Sequence, residues 1–190
     1  DIHYNNEDSE STIKDIGWVI GPNINAIIRL GTQEQKNMIF KSLVSPMLLV
    51  PSSKRGEEDQ DVPVYQEAVR LCKNAKKRQD KQKEKSVEVI AEIAQTIPFD
   101  DKVVMIDTSD ILDSGLTGVV AIKIAEMFNK PCILLNKFLD KETGKITYGG
   151  SARNVNHSPI DSFKDIVNST NVFNFGKGHA NAFGISLELD

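Results

Sequence analysis

Lys102 to Leu135, KVVMIDTSDILDSGLTGVVAIKIAEMFNKPCILL, holds the pattern that decides the fold. Its first residues, Lys102 to Asp107, are mostly β-branched or apolar and predict a buried strand. Gly115 to Asn129 then places Leu116, Val119, Val120, Ile124, Met127 and Phe128 at helical spacing. Pro131 to Leu135 is a second short apolar run. Strand, helix and strand in so short a span predict a β–α–β unit with parallel strands and a right-handed crossover.

Toward the C-terminus, Lys141 to Lys145 predicts a turn at Gly144, and Ile146 to Arg153 a returning strand broken at Gly149-Gly150. Pro159 to Ser169 predicts a short helix and Gly184 to Leu189 a final strand. The expected fold class of this lobe is α/β with a small mixed sheet.

Toward the N-terminus, the stretch from Tyr65 to about Ile97 has neither Gly nor Pro and is dense in Ala, Glu, Gln, Lys and Arg. It predicts one helix of about 33 residues, roughly 50 Å long. Tyr65, Ala68, Val69 and Cys72 form an apolar stripe early, and Val87, Ile90, Ala94 and Ile97 another late. Its middle, Lys73 to Ser86, is polar on every side apart from Ala75, as in helices that bridge two packed bodies through solvent. Pro46 to Pro63 is expected to be a connector with an apolar start and an acidic tip, Glu57 to Asp61. A helix is predicted over Gln33 to Val44, with Met38, Ile39, Phe40 and Leu43 on its apolar side. Ile16 to Pro22 is expected to be a short apolar element broken by Gly-Pro, after which Asn23 or Asn25 caps a short helix through Ala26, Ile27 and Leu30. Residues 1–14 are polar and irregular.

With 190 residues, 39% hydrophobic and 26% charged, the chain has a core but not an unusually rich one. No apolar run approaches the roughly 20 residues that span a bilayer, and no basic-then-apolar leader opens the chain. Two cysteines, Cys72 and Cys132, are too few for a disulfide framework and point to a reducing, cytoplasmic setting. The chain opens on Asp1 rather than Met, as expected of a segment of something longer. Its net charge of −4 hides a basic block of seven Lys and Arg against two acids between Lys73 and Lys85.

Three short segments carry chemistry: Gly21-Pro22-Asn23-Ile24-Asn25-Ala26-Ile27-Ile28-Arg29, Gly149-Gly150-Ser151-Ala152-Arg153, and Gly176-Lys177-Gly178-His179-Ala180-Asn181-Ala182-Phe183-Gly184. The first also makes a turn and cap, and the second a strand bulge. The third has the most physical content. Glycines let backbone N–H groups approach an anion, Lys and His add donors, and Ala180 and Ala182 suit a helix start behind it. It is not a Walker loop, because no Gly-Lys-Ser/Thr occurs. Asp107, Asp110 and Asp113 follow a strand, but without a nearby His and with the wrong spacing for a calcium loop they read as turn and cap residues. No G-x-S-x-G elbow supports a Ser-His-Asp triad, and His3 and His157 read as surface residues.

In order and spacing, the three segments resemble the C-terminal part of RecJ-like DHH-family phosphoesterases. The first is similar to that family's G-P-x-x-N-A-x-x-R segment, and Asn74 to Glu84 to its connecting helix. Gly118 to Pro131 resembles the opening of the DHH-associated domain, and G-S-x-R and G-G-H-x-x-A-x-G follow. The chain departs from the pattern at Ile28, where a small residue is usual, at Asn154, where Ser is common, and at Lys177, in place of the first Gly of G-G-H. The family's D-H-H triplet and Asp-rich motifs do not occur.

The resemblance implies residues 1–62 as the remnant of a catalytic domain, 63–98 as a connecting helix, and 99–190 as a substrate-binding domain. It implies metal-dependent phosphodiester hydrolysis on single-stranded DNA in the full-length enzyme, with two divalent ions, manganese or magnesium, and none held by this chain. Arg29, Ser151 and Arg153 would bind a terminal phosphate, Asn25 and Lys177 would also be phosphate-binding, and Gly178 and His179 would sit near the scissile phosphate. Rival readings are a hydrolase of short oligonucleotides or cyclic dinucleotides, a closing domain of an alanyl-tRNA synthetase, and a non-catalytic nucleic-acid-binding or scaffold module. The Gly-Pro-Asn segment argues against the synthetase. The basic helix favours a longer nucleic acid.

Overall fold

The computed structural model describes residues 13–142 and 144–188. His3, Leu189 and most of the irregular opening lie outside them. The chain divides into two compact units, residues 1–80 and 81–190.

The first unit opens with α1 (Ile13–Asp15), a π-helical turn (Ile16–Ile20) and α2 (Gly21–Leu30), which follow one another without a gap. The expected break at Gly21-Pro22 is therefore corrected. Proline is tolerated in a first helical turn, and the wider π turn before it pairs Gly21 N–H with Ile16 O. Neither asparagine caps the helix. Asn23 lies inside it, its Nδ2 donating to Val19 O at 2.7 Å. Next comes α3 (Gln33–Val44), begun by a capping box between Thr32 and Gln35.

Ala26 and Ile27 of α2, Ile39 of α3, and Ala68, Cys72 and Ala75 of the following long helix form one core cluster. The expected apolar side of α3 is only partly used: Phe40 is 68% and Leu43 73% exposed. Met38, Ile39 and Phe40 are consecutive and fan over more than half the helix circumference, so one neighbouring surface cannot bury them all.

The expected connector contains a small antiparallel hairpin, β1 (Leu49–Pro51) and β2 (Asp61–Pro63), with Val50 opposite Val62. Strands of three residues ending in proline leave no readable alternation. The hairpin is tied to the helix that follows it: the Ser53 hydroxyl bonds the Glu67 carboxylate, and Arg70 reaches both. Burial alone would raise the Glu67 pKa, but the bonds from Arg70 and Ser53 outweigh it and hold the carboxyl below its ordinary range.

That helix, α4 (Val64–Gln95), has the predicted length and contains the boundary between units. Its middle is not polar and solvated on every side. Ala75, Gln79 and Ser86 are buried and continue a stripe from Ala68 and Cys72 on to Ile90 and Ala94 at helical spacing. Gln79 and Ser86 disguise this stripe because hydropathy counts them as surface residues.

The second unit holds a five-stranded sheet in the order β3-β4-β5-β7-β6. β3 (Val104–Asp107) and β4 (Cys132–Leu139) pair in parallel, as the β–α–β pattern predicts. β5 (Ile146–Arg153), β7 (Ala182–Glu188) and β6 (Phe175–His179) add antiparallel strands. The fold class is α/β with a mixed sheet and a long helix. Among the described residues, no helix is long and apolar enough to cross a membrane.

Strand alternation gives the sheet two faces. On one, Ile133, Leu135, Ala152, Phe183 and Ile185 pack with Phe163 and Val167 of α6 (Phe163–Ser169). On the other, Val104, Ile106, Cys132 and Leu134 are buried, and α5 (Thr117–Phe128) packs on β4 and β5. Burial pushes the Cys132 thiol up to about 12, leaving it an inert core residue.

Three local expectations are corrected in this unit. β5 is unbroken, because Gly149-Gly150 answers a close approach instead of a bulge: a Cβ on Gly150 would lie 2.0 Å from Leu134 O. The Gly-Lys-Gly-His run is no loop before a helix; it lies in strand β6, joined to β7 by the two-residue turn Ala180-Asn181. A 3-10 turn (Ser114–Leu116) precedes α5, so the helix starts at Thr117.

Candidate functional site

Period-two alternation puts Ser151 and Arg153 on one face of β5, and Lys177 and His179 on one face of β6. The register then aligns them across the sheet: Ser151 pairs with Gly184, which pairs with Lys177, and Arg153 pairs with Ala182, which pairs with His179. All four side chains thus share the face that α5 partly covers. Between the pairs stand Gly184, which has no side chain, and Ala182, with only a methyl, so the floor there is low.

The start of α5 shapes the inner wall. The hydroxyls of Thr117 and Ser151 lie 3.0 Å apart. A Cβ on Gly118 would stand 2.5 Å from Arg153 Nη2 and 3.4 Å from Ser151 Oγ, so only glycine lets the guanidinium lie against the helix start. Arg153 Nη1 also donates to Ala152 O at 2.7 Å and Phe183 O at 3.3 Å. These bonds hold the guanidinium in place. Thr108 and Asn136 set the loop before the helix: their side chains bond at 2.8 Å, and Asn136 Nδ2 donates to Leu112 O at 2.7 Å.

Arg153 and His179 line one cavity of about 450 Å³, together with Ile122, Glu126, Asn154 and His157. Asn154, Asn181 and His157 were not singled out from the sequence as site residues. Asn154 Nδ2 donates to Asn181 Oδ1 at 2.9 Å, clamping the end of β5 to the β6–β7 turn. This gives Asn154 a structural role. His157 has a left-handed backbone (φ 63°) and is exposed, as expected, yet it borders the cavity.

The remaining expected residues divide. Lys177 stands one row from the cavity, with its ammonium 5.1 Å from the Phe175 ring centroid. Gly178 turns toward the α6 face, where its φ of 138° and a would-be Cβ 2.9 Å from Phe183 Cα both require glycine. Asn25 and Arg29 belong to the first unit, one turn apart on the exposed side of α2.

No group of three or more His, Cys, Asp or Glu able to hold a metal ion converges among the described residues. Asp107 and Asp113 serve turns: their Oδ1 atoms accept from Ser109 N at 3.0 Å and Gly115 N at 2.8 Å. The described residues therefore bring no set of metal ligands together. What the sheet face offers is a fixed guanidinium, hydroxyls, an imidazole and an ammonium around a concave floor, a set of donors suited to phosphate oxygens.

No protein-family model matches the chain. It is 32% identical over 181 residues to a Bacillus subtilis (strain 168) protein named "Putative SPbeta prophage-derived single-strand DNA-specific exonuclease YorK", and equally to its counterpart from Bacillus phage SPbeta. The match covers 94% of this chain and 31% of the relative, so the chain spans about a third of the length of these curated relatives. Among solved structures, RecJ from Thermus thermophilus in complex with Mg2+ aligns at a TM-score of 0.58 with 20% identity, over 92% of this chain and 23% of RecJ. The same protein with Mn2+ gives 0.59 over 92% and 22%. An exonuclease RecJ bound to manganese gives 0.58 at 20% identity, over 93% and 37%. The chain thus shares sequence along nearly its whole length with relatives named as exonucleases, and shares its fold with part of RecJ.

Proposed function

We propose that this chain is the substrate-binding C-terminal portion of a RecJ-like exonuclease that degrades single-stranded DNA. Residues 1–62 are the end of a catalytic domain, 63–98 a connecting helix and 99–190 the substrate-binding domain. Hydrolysis in the complete polypeptide is metal-dependent, with manganese or magnesium held by residues outside this chain. Ser151 and Arg153 take the terminal phosphate of a single strand or short oligonucleotide. His179 serves the scissile phosphate, and Lys177, Asn25 and Arg29 are further phosphate-binding residues. The setting is cytoplasmic.

The observation that carries this reading is the alignment of Ser151, Arg153, Lys177 and His179 on one sheet face, with Arg153 lodged against Gly118. The names of the curated relatives agree with it.

The test compares 5′-phosphorylated with 5′-hydroxyl oligonucleotides in a binding assay on the complete polypeptide, with metal chelated to prevent cleavage. A charge-assisted phosphate contact predicts about a ten- to hundredfold preference for the phosphate. Arg153→Ala should erase the preference and Arg153→Lys restore only part of it, since an ammonium cannot make the paired contact. Equal affinities in the unsubstituted protein refute the assignment.

A further inference from the structure

The phosphate-facing surface continues past Ser151 and Lys177, and there it changes character. The next row pairs Gly149 with Ser186 and Ser186 with Phe175. Phe175 shares a face with Lys177, whose ammonium lies 5.1 Å from its ring centroid. It is 41% exposed although it sits in a strand. On the other side of this floor, the Phe138 ring of β4 lies over Gly149: its Cε2 is 3.1 Å from where a Cβ on Gly149 would be. Phe138 is 46% exposed. Two exposed aromatic rings thus border a floor of glycine and serine, one row from a lysine and two rows from Arg153.

We propose that this row is a base-stacking subsite, in which Phe175 stacks on a nucleobase of the strand whose terminal phosphate Arg153 holds. The proposal rests on the phosphate-binding reading above and extends it from the backbone to the bases. Exposed apolar rings beside cations suit a ligand that is aromatic and anionic at once, as a nucleotide is. Every base has a π-face, so the contact tolerates any sequence while favouring unpaired strands, whose bases are free to stack. Lys177, above the Phe175 ring, is placed to meet the phosphate of the stacked nucleotide. The lysine in place of the first glycine of G-G-H thereby acquires a role.

The experiment uses the complete polypeptide, chelated metal and 5′-phosphorylated oligonucleotides. In one set a single abasic position is moved one nucleotide at a time from the 5′ end. Phe175→Ala should weaken binding of the intact oligonucleotide by about fivefold to a hundredfold. One abasic position should weaken binding to the unsubstituted protein by a similar factor, and removing both partners should cost little more than removing either. Phe175→Tyr should retain affinity. Phe175→Leu, which keeps apolar bulk without a π-face, should lose it, which separates stacking from packing. Full affinity in Phe175→Leu, or an Ala penalty equal on intact and abasic strands, overturns the subsite. If Phe175→Ala has no effect while Arg153→Ala still abolishes 5′-phosphate preference, the subsite fails and the phosphate reading stands. If neither variant changes binding, both fail.

Discussion

The two faces of the β5-β7-β6 half of the sheet are built from alternate residues of the same strands, yet they do opposite things. On the α6 face, Ala152, Phe183 and Ile185 are almost wholly buried, and Phe163 meets Phe183 edge-on with ring centroids 5.6 Å apart. On the opposite face stand Ser151, Arg153, Lys177 and His179, over small floor residues and partly open to solvent. One face supplies stability and the other supplies donors. Because neighbours in sequence point apart, a substitution should damage one property and spare the other.

The largest expected effect falls on the buried face. Phe183→Ala removes a ring that is 2% exposed and should cost about 3–5 kcal/mol. Denaturant unfolding followed by circular dichroism measures it as a lower midpoint. The remaining folded molecules should still prefer a 5′-phosphate. Loss of that preference at unchanged stability would break the division between faces.

A sharper test is Gly118→Ala. The new methyl would meet the far end of a flexible side chain, Arg153 Nη2, so the arginine should give way before the helix does. Preference for a 5′-phosphate should fall toward that of Arg153→Ala, about tenfold or more. The unfolding midpoint should hold or rise, since alanine favours helix over glycine by up to about 1 kcal/mol. A matching fall in stability would mean that Gly118 serves packing instead of placement.

The smallest effect lies in the first unit, where no phosphate contact is expected of the group involved. The Glu67 pKa is lowered by Arg70 and Ser53, so its contribution to stability is complete above the ordinary carboxyl range and is lost as pH falls through the depressed folded value. Glu67→Gln should cost about 0.5–1 kcal/mol near neutral pH and flatten the acid side of a stability-against-pH curve. Measured urea midpoints that fall equally with acid in both proteins would show that other carboxylates govern this limb.

Much of the fold was legible because it rests on periodicity. The β–α–β pattern over 102–135, the strand at Ile146–Arg153 and the long helix without Gly or Pro all stand in the structure. The misreadings share one cause, which is that a local signal has more than one tertiary use. Gly149-Gly150 looks like a bulge, but it admits Leu134 O against the strand. Gly21-Pro22 looks like a break, but it opens a helix behind a π turn. Gln79 and Ser86 look solvated, but both are buried.

The site divides in the same way. The resemblance of their segments marked Ser151, Arg153 and His179, while donor chemistry by itself supported only the Lys177 and His179 stretch. Their convergence could not be read from the chain, since 24 positions separate Arg153 from Lys177 and only strand register aligns them. The cavity partners Asn154, Asn181 and His157 are ordinary turn residues in sequence and become functional candidates only through what they face. Alternation, helix propensity and donor chemistry are local properties, and these the sequence determined by itself. Which strand lies beside which, which glycine meets a carbonyl and which aromatic is left uncovered depend on contacts between distant residues. Those were decided only when the sheet closed.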